Sequence, residues 1–293
     1  MPEIAEIENL RSNSALVVQG PTASGKSGLA LELAERLGGV VINADAMQVY
    51  QGIPIITAAP SAQDKQRAKH ELYEIFPPHK NGNVAEWLDL AVEAVRLALR
   101  DGHVPIITGG TGFYIESLVK GISPIPPTKE ESKQKTEEIF CRGGLQAAYA
   151  YLQEIDEAGA GMVRQNDTTR VRRALEIKLD TGKSIAEWFK LPLIKRLPEV
   201  EFRTISLLPE LKELEARCAR RFDLMMEQGA LSEVRELLKL KPDANLPVMK
   251  AIGVPELAAY LRGDTSLEEA VEQAKLHTRQ YAKRQLTWFR NRR

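Results

Sequence analysis

A chain of 293 residues, 43% of them hydrophobic, can bury one large core or two modest ones without covalent staples. Its 2 cysteines, Cys141 and Cys218, lie far apart and lack CxxC spacing, which excludes a disulfide framework or a zinc ribbon and points to the reducing cytoplasm. The 40 basic and 40 acidic residues cancel, so net charge announces no nucleic-acid partner, and no apolar run is long enough to span a bilayer.

The chain begins with Glu3, Glu6 and Glu8 and no apolar run, which predicts neither a signal peptide nor a transit peptide. Residues 15–18 are a β-branched run, and after the segment 20–27 Leu29, Leu33 and Leu37 recur at helical spacing, predicting strand, loop and helix. Residues 40–43 read as a second strand, 72–76 as a possible third and 104–108 as a fourth, the last preceded by a helix over about 84–100. Strands alternating with helices imply a parallel sheet covered on both faces. Residues 121–127 are a Pro-rich connection, and the charged, helically spaced stretch that follows predicts an insertion over 124–195. Residues 202–208 restore a strand, and from Leu211 onward the chain reads as helical, broken at Pro242, Pro247, Gly253 and Gly263. The expected fold is α/β: a P-loop NTPase-like parallel sheet core over 13–123 and 196–293, with a helical insertion domain and a helical C-terminal region.

Gly20, Pro21, Thr22, Ala23, Ser24, Gly25, Lys26 and Ser27 satisfy G-x-x-x-x-G-K-[ST] directly after a strand and before a helix, a specific context for binding phosphate. Backbone N–H groups and the helix N-terminus would face the anion, Lys26 would reach terminal oxygens, and the Ser27 hydroxyl could ligate Mg²⁺. Many nucleotide-hydrolysing P-loop enzymes place a second acid at the end of a neighbouring core strand. Here the fourth strand runs into Gly109, Gly110, Thr111 and Gly112 without a carboxylate, and the acid that ends a core strand is Asp45, at the carboxyl edge where ligands bind in such sheets. Asp45 is therefore a candidate for chemistry and a second candidate Mg²⁺ ligand, against the plainer alternative of a turn or helix cap.

With these motifs in order, the sequence resembles the tRNA dimethylallyltransferases, also called tRNA isopentenyltransferases. The resemblance covers nearly the whole chain through GPTASGKS (20–27), DAMQVY (45–50), GGTGFY (109–114), NDTTRVRRALE (166–176) and KRQLTWFR (283–290). It implies transfer of a dimethylallyl group from dimethylallyl diphosphate to the exocyclic amine of the adenosine following the anticodon, with release of diphosphate. The P-loop would then hold a leaving group, which accounts for the missing strand-end acid. It also implies that Asp45 is the general base or acceptor for the adenine amine and that Thr111 positions the reacting groups. Lys26, Ser27 with Mg²⁺, and Arg221, with Arg217 as second choice, would neutralise diphosphate.

Extruding an adenosine costs a few kcal/mol of unstacking, so the protein must grip the anticodon stem-loop over a wider surface. The resemblance places Thr169, Arg170, Val171, Arg172 and Arg173 of the insertion at the tRNA, together with Lys133. At the C-terminus, Arg279, Lys283 and Arg290 fall near one helical face, with Lys275, Arg284, Arg292 and Arg293 nearby and no carboxylate from 275 to 293. Leu286, Trp288 and Phe289 of the same stretch are expected to be mostly core. Asp45, Ala46, Met47 and Gln48 form a third region, where the Gln48 amide could read an adenine edge. Ala46, Ala59 and Val254 stand where the family has serine, lysine and tyrosine, and Ser27 replaces a common threonine. His70, His79, His103 and His277 show no metal spacing. A monomer is expected. A P-loop small-molecule kinase, a prenyltransferase acting on free adenine nucleotide and a non-catalytic RNA-binding protein are the alternatives. The long insertion and the basic terminus weigh against the first two.

Overall fold

The computed structural model describes residues 10–292; Glu3, Glu6 and Glu8, with the rest of 1–9, and Arg293 lie outside the described residues. The chain divides into two compact units, one formed by Met1–Val119 and Arg196–Arg293, the other by Lys120–Lys195.

In the first unit, β1 (Ser14–Gln19) is almost wholly buried and feeds the P-loop, which opens α1 (Lys26–Leu37). The chain returns as β2 (Gly39–Asn43), passes through two short helices, α2 (Pro54–Thr57) and α3 (Ala62–Arg67), and forms β3 (Lys69–Glu71). α4 (Val84–Arg100) is capped by the Asn83 side chain, which accepts from Glu86 N–H, and buries Trp87, Leu88, Ala91, Val92, Val95 and Ala98 along one stripe. β4 (Val104–Gly109) and α5 (Gly112–Val119) complete this half.

The predicted strand over 72–76 is not formed. β3 ends at Glu71, and Leu72 and Glu74 take φ of 65° and 54°, left-handed values that break an extended run. The cause is a long-range bond: the buried Asn43 side chain donates to the Leu72 carbonyl at 3.0 Å, pulling the chain into a turn. Phe76 alone of this segment's end bridges to Tyr50.

The second unit contains α6 (Glu130–Ile155), bent at Gly144, then α7 (Glu157–Gly161), α8 (Thr168–Thr181) and α9 (Ile185–Trp188). Asp156, Asp167 and Ser184 cap the last three by accepting from backbone N–H groups. Its own core gathers Ala148, Leu152, Val171, Ala174, Leu175 and Ile185. An antiparallel bridge between Ile122 and Ile194 ties the two ends of the unit together, so the boundary falls at 119/120 rather than 123/124.

Back in the first unit, β5 (Glu201–Ser206) pairs with β1, giving a five-stranded sheet in the order β3-β2-β4-β1-β5 with every pair parallel. Leu16, Val18, Ala30, Leu33, Val41, Ile106 and Ile205 fill the space between α1 and the sheet. The remaining helices are α10 (Leu211–Glu227), α11 (Ala230–Lys239), α12 (Val254–Arg262) and α13 (Leu267–Arg290). Beyond the anticipated punctuation, the chain also breaks at Gly229, whose φ of 102° caps α11. No helix among the described residues is long and apolar enough to cross a membrane.

Candidate active site

β1 and β4 end side by side at the carboxyl edge of the sheet, which puts residues 20–27 beside residues 109–112. The P-loop turns through two left-handed residues, Ala23 with φ of 60° and Gly25 with φ of 91°. The second is natural for glycine, whereas the first costs an alanine about 1–2 kcal/mol and marks a loop held by its surroundings. Lys26 follows at the start of α1, buried, its Nζ donating to the Pro21 carbonyl at 3.3 Å. Burial pulls its pKa down to about 8, with nearby Asp45 opposing and Arg221 reinforcing that shift. Ser27 is exposed at the first turn of α1.

Asp45 follows β2 and is fixed by its neighbours. Its backbone N–H donates to the Asn43 side chain at 2.9 Å, and Oδ1 accepts from Met47 N–H at 2.9 Å. Asn43 is itself anchored beside Trp87, whose indole donates to the Asn43 carbonyl at 2.9 Å and stacks on Tyr114. Asp45 Oδ2 accepts no hydrogen bond among the described residues. Thr111 Oγ1 accepts from Ala46 N–H at 2.9 Å, which locks the 109–112 loop to the chain that carries Asp45.

α10 supplies the arginines. Arg221 is partly buried, donates from Nη2 to the Thr22 hydroxyl, and has its pKa pushed down by desolvation, so a partly desolvated cation faces the P-loop. Arg217 lies nearer the surface, with one nitrogen 3.5 Å from the Ser24 carbonyl and another bound to Glu213 at 2.6 Å.

A cavity of about 310 Å³ opens over these groups. Thr22, Asp45, Arg221, Tyr281 and Arg284 give it polar walls, and Met47, Ile56, Phe222, Met225 and Ile252 give it apolar ones. Of the residues named from sequence, Thr22, Asp45, Met47, Arg221 and Arg284 line it directly. An arrangement of this kind can hold an anion at one wall and an apolar group against the other, within reach of a carboxylate.

Several expectations are corrected. Val171 is 0% exposed inside the core of the second unit, so its side chain cannot touch RNA. The Gln48 amide nitrogen donates to the Thr57 and Ala58 carbonyls, both at 2.9 Å, and is occupied in holding α2 rather than available to a base. Arg172 is paired with Glu137 and lies over the Phe140 ring, and Arg173 donates to Thr128 and pairs with Glu176. Lys275 is bound to Asp223 and Glu272, and Arg292 to Glu116 while covering Trp288. Leu286 and Phe289 are buried, and Trp288 only partly. Thr169 and Arg170 are exposed at the start of α8, Arg170 beside Asp167 at 3.4 Å, and Lys133 is exposed beside Glu130. Arg279, Lys283 and Arg290 make no ion pair among the described residues. Lys283 and Arg290 are exposed, and Arg284 approaches the Tyr281 ring.

Sequence reasoning missed three contributors. Gln285 is buried between the P-loop and residue 110. Glu233 accepts from Ile55 and Ile56 N–H, both at 2.8 Å, and burial pushes its carboxyl up. Lys250 joins the cavity wall. The first left a readable signal, a long amide on the inward stripe of Ala274, Thr278, Ala282, Leu286 and Phe289.

Among the described residues no group of three or more His, Cys, Asp or Glu is placed to hold a metal. Ser27 and Asp45 provide the hard oxygen donors that Mg²⁺ takes when diphosphate oxygens and water complete its shell, so the residues fit that ion.

Fold and site define a P-loop α/β protein that presents a phosphate-binding loop and a carboxylate to one cavity. A family model described as IPP transferase matches residues 48–292. The chain is 45% identical over 276 residues to the tRNA dimethylallyltransferase of Rhodospirillum centenum, covering 94% of this chain and 88% of that protein. To the tRNA dimethylallyltransferase of Nitrobacter hamburgensis it is 43% identical over 277 residues, covering 94% and 87%. Among solved structures it is similar to a eukaryotic dimethylallyltransferase acting on tRNA, with a TM-score of 0.81 and 30% identity over 94% of this chain and 69% of that one. It is also similar to the tRNA isopentenylpyrophosphate transferase of Bacillus halodurans, with a TM-score of 0.64 and 33% identity over 95% and 87%. The chain belongs to the IPP transferase family.

Proposed function

We propose that the protein transfers a dimethylallyl group from dimethylallyl diphosphate to the N6 amine of the adenosine 3′ to the anticodon of tRNA, releasing diphosphate. The observation that most supports this reading is the shared cavity, in which the P-loop residue Thr22, Arg221 and Asp45 meet apolar walls of Ile56, Phe222, Met225 and Ile252. In the proposed reaction the bond between the allylic carbon and diphosphate oxygen breaks, a bond from that carbon to N6 forms, and one amine proton leaves for Asp45 Oδ2. Lys26, Arg221 and the P-loop N–H groups stabilise the charge gathering on the leaving diphosphate. Arg217, at the rim of this group, would complete its neutralisation.

An aromatic amine is a weak nucleophile, so orientation counts as much as proton removal. Thr111, bonded to Ala46 N–H, fixes the loop beside Asp45 for this purpose. Mg²⁺ would be held by the Ser27 hydroxyl and would neutralise diphosphate charge. A carboxylate that ligated the ion would lose basicity, so Asp45 is assigned to the amine instead. Thr169 and Arg170 at the N-terminus of α8, Lys133, and Lys283 and Arg290 on α13 are the RNA contacts this reading retains, acting on phosphates. The reading also includes a cytoplasmic monomer.

The test incubates the protein with Mg²⁺, radiolabelled dimethylallyl diphosphate and an anticodon stem-loop carrying adenosine after the anticodon, beside AMP and an Asp45→Ala control. Label in the stem-loop alone, absent with AMP and with the variant, is expected. No label in RNA, with ATP consumed when small alcohols are supplied, would leave a kinase in its place.

A further inference from the structure

We propose that Gln285 is a positioning residue that sets the separation between the leaving group and the acceptor base, by bridging the loops that hold them. This inference rests on the prenyl-transfer reading of the cavity and assigns a further residue to it.

Gln285 sits on the inner face of α13, 6% exposed. Its Oε1 accepts from the backbone N–H of Thr22 at 2.8 Å, and its Nε2 donates to the Gly110 carbonyl at 2.7 Å. One side chain thus joins two loops that enter the site from different strands, across 263 and 175 residues of sequence. The approach is close: a Cβ on residue 110 would lie 2.4 Å from Nε2, so a side chain there would push the amide aside. Tyr281, one helical turn earlier on α13, lines the cavity beside this bridge.

From Gly110 the connection continues through Thr111, whose hydroxyl accepts from Ala46 N–H, to the neighbouring Asp45. An unbroken run of short contacts therefore leads from the phosphate loop to the carboxylate, and Gln285 is the link that spans the two loops. It also takes the Thr22 N–H out of the set of P-loop donors free to face an anion. A buried amide whose donor and acceptor are both satisfied is rigid, because moving either loop would leave a polar group unpaired. A displacement of about 1 Å between reacting groups can cost about 100-fold in rate.

The test uses the full chain and measures kcat and KM for dimethylallyl transfer to the stem-loop, with Kd for inorganic pyrophosphate and the unfolding midpoint recorded for each variant. Gln285→Met keeps the length and removes both bonds; Gln285→Glu keeps the acceptor for Thr22 N–H and removes the donor to Gly110. For the methionine variant, kcat is expected to fall about 100-fold while pyrophosphate Kd changes less than about threefold. The glutamate variant should lose rate as well, since it breaks the same span. Gln285→Met and Thr111→Val should combine to much less than the product of their separate effects on kcat, because they cut one connection. Full kcat in both Gln285 variants, multiplicative losses in the double variant, or a fall in kcat that tracks a fall in folded fraction would each overturn the proposal. Failure of the wild-type chain to prenylate the stem-loop would instead refute the reading of the site on which it rests.

Discussion

Replacing Lys26 by methionine should make the protein more stable and inactive at once. This lysine is buried, and desolvation holds its pKa at about 8 instead of 10.5. At about 1.4 kcal/mol per unit, folding with the charged amine costs about 3 kcal/mol at neutral pH. Its hydrogen bond to the Pro21 carbonyl is long, at 3.3 Å, and losing it returns about 1 kcal/mol at most, so Lys26→Met should gain about 2 kcal/mol. The sign follows from the depressed pKa. The penalty is fully present below the folded value of about 8 and disappears as pH rises toward the unfolded value of 10.5, because in that window the unfolded chain binds more protons. Urea denaturation at pH 7 and at pH 10 should show the variant's advantage large at the first and mostly gone at the second, while pyrophosphate binding, followed by calorimetry, is lost. A variant no more stable than wild type at pH 7, or one whose advantage does not change with pH, would show that Lys26 is not the desolvated cation described here.

Arg221→Lys retains the charge but not the fork that reaches Thr22, so pyrophosphate affinity measured by calorimetry should weaken about tenfold. Glu233→Gln can accept from only one of the Ile55 and Ile56 N–H groups and should destabilise by about 1–2 kcal/mol in urea. Because burial raises the Glu233 pKa above 4.5, wild type gains from this carboxyl as pH falls and loses that gain as pH rises through the folded value; the glutamine variant should lack this slope. Val171→Ala should lower unfolding stability by about 1–3 kcal/mol through the cavity it leaves. Arg170→Ala should leave stability unchanged, weaken stem-loop binding in a filter assay, and reduce its salt slope by about one.

What the sequence disclosed and what it hid divide along contact range. The P-loop was legible because its eight residues are contiguous and its context, strand then helix, is periodic. Asp45 was legible because a carboxylate directly after a buried run lands at the sheet edge. The bonds that fix those residues are not local: Gln285 meets Thr22 across 263 positions, and Glu233 meets Ile55 across 178. The same gap produced the false strand over 72–76, where local β propensity lost to one buried bond from Asn43. The family resemblance places the whole stretch 169–173 at RNA and carries Val171 with it, although its spacing with Ala174, Leu175 and Ile177 marks the inward face of α8.

The missing acid at the end of β4 gains a structural explanation from these contacts. Thr108 occupies the strand end, buried, with its hydroxyl donating to the Val18 carbonyl, and the chain then turns through residue 110 toward Gln285 and Thr111. A carboxylate at that point would sit next to a P-loop already served by Lys26 and Arg221, neutralising cations that are desolvated at a cost. Both cations have pKa values lowered by desolvation, so each gains when an anion enters, and the free energy held against them becomes affinity for a multiply charged group. On the proposed reading that group is the leaving diphosphate. The strain is relieved further as the carbon–oxygen bond breaks and negative charge accumulates, which is the condition for a binding interaction to accelerate a reaction rather than only to hold its substrate.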